Sequence, residues 1–380
     1  MTISDRVAIV GVGVTEQGKL PGSTALGLGL EALSLALADA GLEKDKLDGV
    51  VTMPGTTSPE QGQHYLRLCE AAGIDPGYTA SLQMGGATAS ALVQMGAMAI
   101  TSGMAKYVAC VFGDSAKTGG SRFGTVKGGD DPWSIWGMMS ATANTAMTAR
   151  RHMALYGTEE RHLGDVAVNC RYHAGLNPDA VMREPITHRD HAESRLIVDP
   201  LHLLDCCLIS DGGVCVILGP IEEAEGLQQP PVAIGGMGQA HTSRNLGSRD
   251  WWYLPHQRDA VSRAFEMAGL KPADVDFAQL YDNYTISVLL WLEHAGFCGQ
   301  GEGAAFVENE RLRLGGELPT NTGGGNLSGS GSQGWLLLAE AVWQLRGQCG
   351  ERQVDGAEVG LVTGRGMALN TAAALVLHKT

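Results

Sequence analysis

An internal repeat is the feature that most constrains the fold of this 380-residue chain. The segment VAIVGVG at 7–13 returns as VAIGGMG at 232–238. In each half an Ala-Gly-Leu step, then a hydrophobic-Asp pair, leads into another apolar strand, at 40–51 and again at 268–280. Because both matches come in the same order at nearly the same offset, the sequence predicts a duplicated structural unit.

The alternation of strands and helices is also repeated. In each half a glycine-rich turn leads into a helix of small and apolar residues, and an apolar strand follows. Strands that alternate with helices predict mostly parallel sheets covered by helices. In the first half the turn lies at 84–88, the helix ends at 103, and the strand lies at 107–111. In the second half the turn lies at 323–334, the helix ends at 347, and the strand lies at 359–362. The halves close with apolar strands at 214–218 and 372–377.

Residues 116–211 have no counterpart in the second half. They hold two helical stretches, 142–156 and 159–174, and we expect them to form an insertion packed over the first half. The predicted organisation is an N-terminal half at 1–225, which carries the insertion, and a C-terminal half at 226–380, with a linker at about 222–231.

Composition excludes several classes of function. The formal net charge of −14 argues against a nucleic-acid-binding surface. No apolar run approaches the roughly 18 residues needed to cross a membrane, and the N-terminus does not read as a signal peptide. The eight cysteines lack metal-type or disulfide-type spacing, so we expect reduced thiols in a cytoplasmic protein. The histidines of the insertion lack metal-ligand spacing, so no metal site is predicted. Gly11 and Gly13 do not continue into a dinucleotide-binding pattern, because position 16 is Glu.

Several motifs resemble the sterol-carrier-protein-x branch of the thiolase superfamily. They are YGT at 156–158, LDCCLISDGG at 204–213, GFC at 296–298 with GEG at 301–303, and NTGG at 321–324. The resemblance covers nearly the whole chain. It implies a five-layered αβαβα thiolase fold, a homodimer and a CoA-thioester substrate. The family binds CoA phosphates in this insertion, and the basic candidates here are Arg122, Lys127, Arg150 and Arg151. A solvated charged face is the alternative role of these four residues.

The reactive residues of a working thiolase are missing. Its nucleophilic cysteine corresponds to Gly86, or with a one-residue slip to Gly85 or Ala87, and its activating histidine corresponds to Gly331. The last cysteine of the pattern would fall near Val362. A covalent acyl-enzyme is therefore not expected.

The fourth motif is Tyr281-Asp282, which follows the strand 277–280. A Tyr-Asp motif without the cysteine resembles the steroid side-chain aldolases of the same branch. That resemblance implies retro-aldol cleavage of a bulky β-hydroxyacyl-CoA, together with a small partner protein that has an OB-fold and a zinc ribbon. Those aldolases tend to carry a tyrosine on the loop that matches 330–332, and this chain has none there.

Retro-aldol chemistry needs no covalent intermediate and no cofactor, because the thioester carbonyl accepts the electrons of the broken bond. Tyr281 is the first candidate for the base, with a pKa lowered by nearby donors. Asp282 either orients Tyr281 and shares its proton or simply caps the following helix at 284–294. Tyr284 is expected to be pocket wall more than acid. The candidate oxyanion and pocket residues are Gly85, Gly86, Asn326, Gly329, Ser330 and Gly331.

Two other functions stay open. The chain could be a non-catalytic subunit or scaffold that binds an acyl-CoA or lipid, which the glycine- and serine-rich run at 328–332 favours. A weaker alternative is an acetyl-CoA acyltransferase that uses Cys298, although a structural role is favoured for this cysteine. The pair Cys206-Cys207 is expected to lie in the core.

Overall fold

The repeated strands lie side by side at the centre of the molecule. A computed structural model describes residues 4–59, 61–121, 140–224, 226–242, 253–366 and 370–380. In it, β1 (Val7–Val14) pairs antiparallel with β8 (Val232–His241) through only two residue pairs, Ala8 with Ala233 and Ile9 with Val232. The two halves of the sheet therefore share a short seam.

The elements follow the alternation predicted from the sequence. In the first half they are α1 (Ala25–Ala40), β2 (Gly49–Pro54), α2 (His64–Ala72), β3 (Tyr78–Ser81), α3 (Thr88–Thr101), β4 (Val108–Ser115), α4 (Ala141–Tyr156), α5 (Glu160–Leu176), α6 (His188–Glu193), β5 (Leu196–Val198), β6 (Leu201–His202), β7 (Asp211–Pro220) and α7 (Ile221–Ala224). In the second half they are α8 (His256–Ala268), β9 (Phe277–Gln279), α9 (Thr285–His294), α10 (Gly303–Val307), α11 (Trp335–Arg346), β10 (Val359–Gly366) and β11 (Thr371–Lys379).

The large sheet is mixed, so the prediction of mostly parallel sheets was wrong. Its order is β3-β2-β4-β7-β1-β8-β11-β10-β9. Only the pairs β2–β3, β2–β4 and β9–β10 are parallel. The closing strands, β7 and β11, run antiparallel to their neighbours. For β11 the reason is the short connection: only residues 367–370 separate it from β10, and so short a connection can join only antiparallel neighbours.

Helices cover both outer faces and fill the space between the halves. The helix α1 packs on β1, β4 and β7, and α8 packs on β8 and β11. The helices α3 and α11 contact strands of both halves and each other. Trp335 of α11 stacks on Phe112 of β4 with the ring centroids 5.8 Å apart. This arrangement confirms the predicted five-layered αβαβα fold.

The glycines of the repeated strands allow this close packing. A Cβ at Gly13 would lie 2.1 Å from the carbonyl oxygen of Ala32, and one at Gly238 would lie 1.9 Å from that of Ala260. Each strand thus presses directly against the backbone of the helix that follows it. The Gly-x-Gly pattern therefore serves strand–helix contact in both halves.

The described helices of the insertion, α4 and α5, pack against the second half, whereas the sequence predicted packing over the first. The helix α5 contacts α9, α10 and the turn at 325–329, and α4 contacts α9. Polar groups make many of these contacts: the amides of Asn169 and Asn177 donate to the carbonyls of Thr320 and Gly323. The segment 320–323 runs irregularly, so its carbonyls need side-chain donors, and α5 supplies them. Within the described ranges, no helix is long and apolar enough to cross a membrane.

Candidate active site

A cleft of about 550 Å³ lies where the two halves and the insertion meet. Its walls come from the turn before α3, the ends of β9 and β10, the start of α9, and the insertion strands with the loop that follows them. The turn at 325–329 and the loop that leads into α11 complete the walls. The described residues that line it are Gly85, Gly86, Ala141, Thr142, Arg195, Ile197, Leu203, Cys206, Cys207, Leu208, Ile209, Tyr281, Asn283, Tyr284, Asn326, Gly331, Gln333, Arg365 and Gly366.

The ring of Tyr281 fills the space above Gly86, the position expected to match the thiolase cysteine. An ideal Cβ at Gly86 would lie 2.0 Å from the Tyr281 hydroxyl oxygen, so no side chain can stand at position 86 while the ring is there. The backbone amide of Tyr281 donates to Thr363 Oγ1 at 2.9 Å, which ties the residue to β10. Burial raises the pKa of the Tyr281 hydroxyl, with a further contribution from Cys207. The expected lowering of this pKa is therefore not found.

Asp282 lies beneath the cleft and does not line it. Its carboxylate accepts hydrogen bonds from the amide nitrogen and Nδ2 of Asn326, both at 2.8 Å, and from the amide of Leu327 at 3.3 Å. Cys170 Sγ is its fourth donor, at 3.6 Å. The alternative role as a cap of α9 is wrong, because these donors belong to the turn 325–329 and to α5. Asp282 instead fixes the turn that presents Asn326 to the cleft.

The candidate glycines and Ser330 divide into two groups. Gly85, Gly86 and Gly331 line the cleft, whereas Gly329 and Ser330 do not. The Gly329 amide donates to the Gly324 carbonyl at 3.0 Å, and the Gly331 amide donates to Ser210 Oγ at 3.2 Å. Neither amide is therefore available for an enolate oxygen. The hydroxyl of Ser330 donates to Gln17 on the first half.

The opposite wall is largely apolar. Ile197, Leu203, Leu208 and Ile209 lie on it, and they suit a bulky hydrocarbon group. Tyr284 is part of the wall, as predicted, and its hydroxyl lies 2.8 Å from that of Thr142.

Cys206 and Cys207 face the cleft, so the prediction that this pair is core was wrong. Their backbone contacts explain this: the Cys207 amide donates to the Asn283 carbonyl, which holds the loop along the start of α9. Burial raises the pKa of each thiol to about 12. Both thiols are therefore neutral and poor nucleophiles near neutral pH.

Two polar residues, Arg365 and Gln333, are among the cleft residues that sequence reasoning missed. Arg365, at the end of β10, is 2% exposed, and its Nη2 donates to Asn283 Oδ1 and Ser287 Oγ. Gln333 has a φ of 53°, in the left-handed region, and its buried Nε2 has no acceptor among the described residues. The sequence contained one indication for Arg365: a charged residue at the end of the apolar strand β10 is unusual and points to a specific role.

The remaining candidates lie elsewhere. Cys298 lines a separate groove between α8 and the end of α9, and burial raises its pKa to about 12. Of the basic residues proposed for CoA, Arg122 and Lys127 lie outside the described residues, Arg150 is paired with Asp199, and Arg151 is also engaged in a contact. In the part of the chain that the structure describes, no cluster of three or more His, Cys, Asp or Glu could hold a metal ion.

The sequence and the fold are similar to those of known proteins. Residues 238–379 match the family model "Thiolase C-terminal domain-like". The chain is 36% identical to the steroid side-chain-cleaving aldolase of Thermomonospora curvata, over 95% of both chains. It is 37% identical to 17-hydroxy-3-oxo-4-pregnene-20-carboxyl-CoA lyase of Mycobacterium tuberculosis, over 95% of this chain and 96% of the lyase.

A solved structure supports the same relationship. The Ltp2-ChsH2(DUF35) aldolase superposes with a TM-score of 0.90 at 35% identity, over all of this chain and 99% of that one. The chain therefore belongs to the thiolase superfamily, in the family of the steroid side-chain-cleaving aldolases.

Proposed function

We propose that this protein is a carbon–carbon lyase that cleaves a bulky β-hydroxyacyl-CoA, with a steroid or aromatic side chain, by a retro-aldol reaction. The observation that carries the proposal is the contact of the Tyr281 phenol with Gly86, the position expected to match the thiolase nucleophile. The ring leaves no room for a side chain at that position. The identity to a steroid side-chain-cleaving aldolase and to a carboxyl-CoA lyase supports the same reaction.

In the proposed reaction one group, Tyr281, both removes and returns the proton. The Tyr281 phenolate takes the proton of the β-hydroxyl, and the bond between the α- and β-carbons breaks. The β-oxygen becomes the carbonyl of a ketone, while the bonding electrons form the enolate of the shortened thioester. The Tyr281 phenol then returns a proton to the α-carbon, which completes the acyl-CoA. The CoA thioester is its own electron sink, so the proposed reaction uses no cofactor.

The environment of Tyr281 determines the pH dependence. Because burial raises its pKa, the ionised fraction at neutral pH is small, but the phenolate that forms is a strong base. The rate is therefore expected to rise with pH, about tenfold per unit, until the phenol titrates. A partner that covers the cleft would exclude water from this step.

A small partner protein with an OB-fold and a zinc ribbon completes the proposed enzyme. The structural neighbour, the Ltp2-ChsH2(DUF35) aldolase, is named for a second component, ChsH2(DUF35). The apolar wall of the cleft takes the acyl group, and the partner takes the CoA ester. We propose that the assembly is built on a homodimer of this chain and acts in the cytoplasm.

The test is turnover of a β-hydroxyacyl-CoA with a bulky side chain by the chain together with its partner. We expect the ketone and the shortened acyl-CoA as products. The change Tyr281→Phe should lower kcat roughly 10²- to 10⁴-fold, because general base catalysis is lost. Tyr78→Phe, on β3 outside the cleft, is the matched control and should retain turnover.

Two results would contradict the proposal. Full activity of Tyr281→Phe would remove the base assignment. Calorimetric binding of the CoA ester without turnover, alone or with the partner, would instead indicate the non-catalytic acyl-CoA-binding subunit.

A further inference from the structure

A second groove, of about 670 Å³, runs along α5 and shares no lining residue with the cleft. Its walls come from the C-terminal half of α5, the segment 183–186 and Arg313. Three of the residues that line it are arginines, Arg171, Arg183 and Arg313, whereas Glu184 is the one acid among them. In a chain with a formal net charge of −14, three guanidinium groups around one groove are a local excess of positive charge.

Arg171 is a buried cation whose charge is not balanced by any described carboxylate. The residue is 8% exposed and lines the groove. Its Nε donates to Ser328 Oγ and its Nη1 donates to the Glu184 carbonyl, both at 3.0 Å, so its acceptors are neutral. Its Nη2 has no hydrogen-bond acceptor among the described residues. Because a buried charge is costly unless it is paired, this guanidinium points to an anion that is bound in the groove.

The other two arginines add to this charge. Arg183 is exposed and has no hydrogen bond or ion pair with a described residue. Arg313 lies over the ring of Tyr172, 4.7 Å from its centroid, and pairs with the exposed carboxylate of Glu310. Exposed ion pairs of this kind are weak. The side chain of Glu184 is exposed and pairs with none of the three, so the positive charge of the groove stays in excess.

The groove shares a wall with the cleft. Besides the contact of Arg171 with Ser328, the Val181 amide donates to the Gly329 carbonyl at 2.8 Å, and the Met182 amide donates to that of Ser328 at 3.0 Å. The segment that leads to Arg183 is thus hydrogen-bonded to the turn at 325–329. A ligand held by Arg171 and Arg183 together would join α5, this segment and the turn.

We propose that this groove is a second binding site, separate from the cleft, and that it binds the phosphate groups of a small phosphorylated molecule. A guanidinium is a planar fork of N–H donors that matches phosphate oxygens, and a phosphate group carries about two negative charges near neutral pH. Several guanidinium groups around one groove therefore suit a phosphate better than a single carboxylate. The ligand is either an inorganic phosphate or the phosphates of a nucleotide, such as the nucleotide part of CoA. The inference does not depend on the lyase reaction.

The experiment is isothermal titration calorimetry of the full chain with two probes, pyrophosphate and ADP. We expect saturable binding at one site per chain, which weakens as the salt concentration rises. Arg183→Gln should weaken binding about tenfold or more, because a charged hydrogen-bond donor is lost. The position is exposed, so the variant should fold like the parent. Arg171→Lys keeps the charge but loses the fork of donors, and it should also bind more weakly.

Arg189→Gln is the matched control. Arg189 is an exposed arginine of α6 that lies outside the groove and pairs with Glu193, so the same change in net charge should leave the affinity unchanged. Succinate, which carries two carboxylates, is the control ligand and should bind more weakly than pyrophosphate.

Hydrogen exchange provides a second measurement. Saturation with the probe that binds should slow exchange of the Val181 and Met182 amides in the parent and less so in Arg183→Gln, because the ligand holds this segment against the turn. Exchange that is unchanged at saturation would contradict the proposed position of the ligand.

The two probes distinguish the sources of the phosphate. Tighter binding of ADP than of pyrophosphate would identify a nucleotide as the ligand, and equal or weaker binding of ADP would identify an inorganic phosphate. Absence of saturable binding with both probes would overturn the proposal. Equal affinities of the parent and Arg183→Gln, or equal binding of succinate, would overturn it as well. None of these measurements requires turnover, so their failure is distinguishable from failure of the proposed function.

Discussion

At the scale of single residues, Gly86 and Tyr281 form one unit that spans the two halves of the chain. The ring of Tyr281 fills the space above the Gly86 Cα, and the Gly334 Cα borders the same ring, since a Cβ there would lie 3.1 Å from it. The Tyr281 ring can take this position only if residue 86 has no side chain. The glycine therefore makes room for the tyrosine, in addition to removing the expected cysteine. Restoring the cysteine alone would displace the tyrosine and would not produce a thiolase.

Gly86→Ala tests this unit. The methyl group would meet the Tyr281 ring and hydroxyl at 2.0 Å, so the ring must move. We expect a loss of about 1–3 kcal/mol in the free energy of unfolding from overpacking, and a large loss of turnover. Gly62→Ala is the control, because nothing lies within 4 Å of its Cβ. Chemical denaturation measures the first effect; unchanged stability and turnover of Gly86→Ala would contradict the geometry.

At the scale of elements, the Asp282 carboxylate is one of the groups that hold the turn at 325–329 in place. Asp282 accepts from Asn326 and Leu327, and Gly325 has a φ of 62° with its Cα against the carboxylate. A Cβ at Gly325 would lie 2.0 Å from Asp282 Oδ2. The Asn326 side chain in turn accepts from the Gly334 amide at the start of α11. The carboxylate thus links β9, the turn and α11.

Asp282→Asn should loosen this link. The new amide group would present a donor to backbone N–H groups that need an acceptor, which generally costs about 1–3 kcal/mol for each unmet group. Asp45→Asn, at an exposed position, is the control and should change little. Urea denaturation and hydrogen exchange of the turn amides measure the effect. Wild-type protection of the Asn326 and Leu327 amides in the variant would rule out the proposed link.

At the scale of the whole molecule, polar pairs join the insertion to the second half and the second half to the first. His152 on α4 meets Glu293 on α9 at 2.8 Å, and both are almost fully buried. Arg346 at the end of α11 meets Asp39 of α1, also at 2.8 Å. His173 on α5 and His294 on α9 are buried as well, and burial lowers the pKa of each to about 4.

Acid should therefore destabilise the fold. Between pH 6.5 and about 4 the unfolded chain binds protons that the folded His173 and His294 do not. Stability is fully present above pH 6.5 and falls as the pH is lowered, by about 1.4 kcal/mol per pH unit for each histidine. His173→Met should reduce the slope of unfolding free energy against pH by that amount, with a constant offset above pH 7. Equal slopes in the two proteins would show that His173 does not contribute.

Much of the architecture was predictable because it depends on local pattern. The repeated Gly-x-Gly strands, the helix faces such as that of α11, and the strand before Tyr281 are set by residues a few positions apart. The missing cysteine and histidine are likewise visible in the chain itself. These features sufficed to predict two repeated α/β halves and to place Tyr281 at the end of a strand, whereas the five layers were predicted from the resemblance to the thiolase superfamily.

The roles of individual polar residues were decided only by the tertiary structure. Asp282 meets its donors 44 and 45 positions away, and Arg365 meets Asn283 at a separation of 82. The direction of the closing strands, the side on which the insertion packs and the exposure of Cys206 and Cys207 to the cleft depend on similar distant contacts. A carboxylate or guanidinium can serve as base, clamp or counter-ion, and the donors, acceptors and water around it determine which. The sequence by itself therefore determined which groups this site lacks, and the packing of the two halves determined what the remaining groups can do.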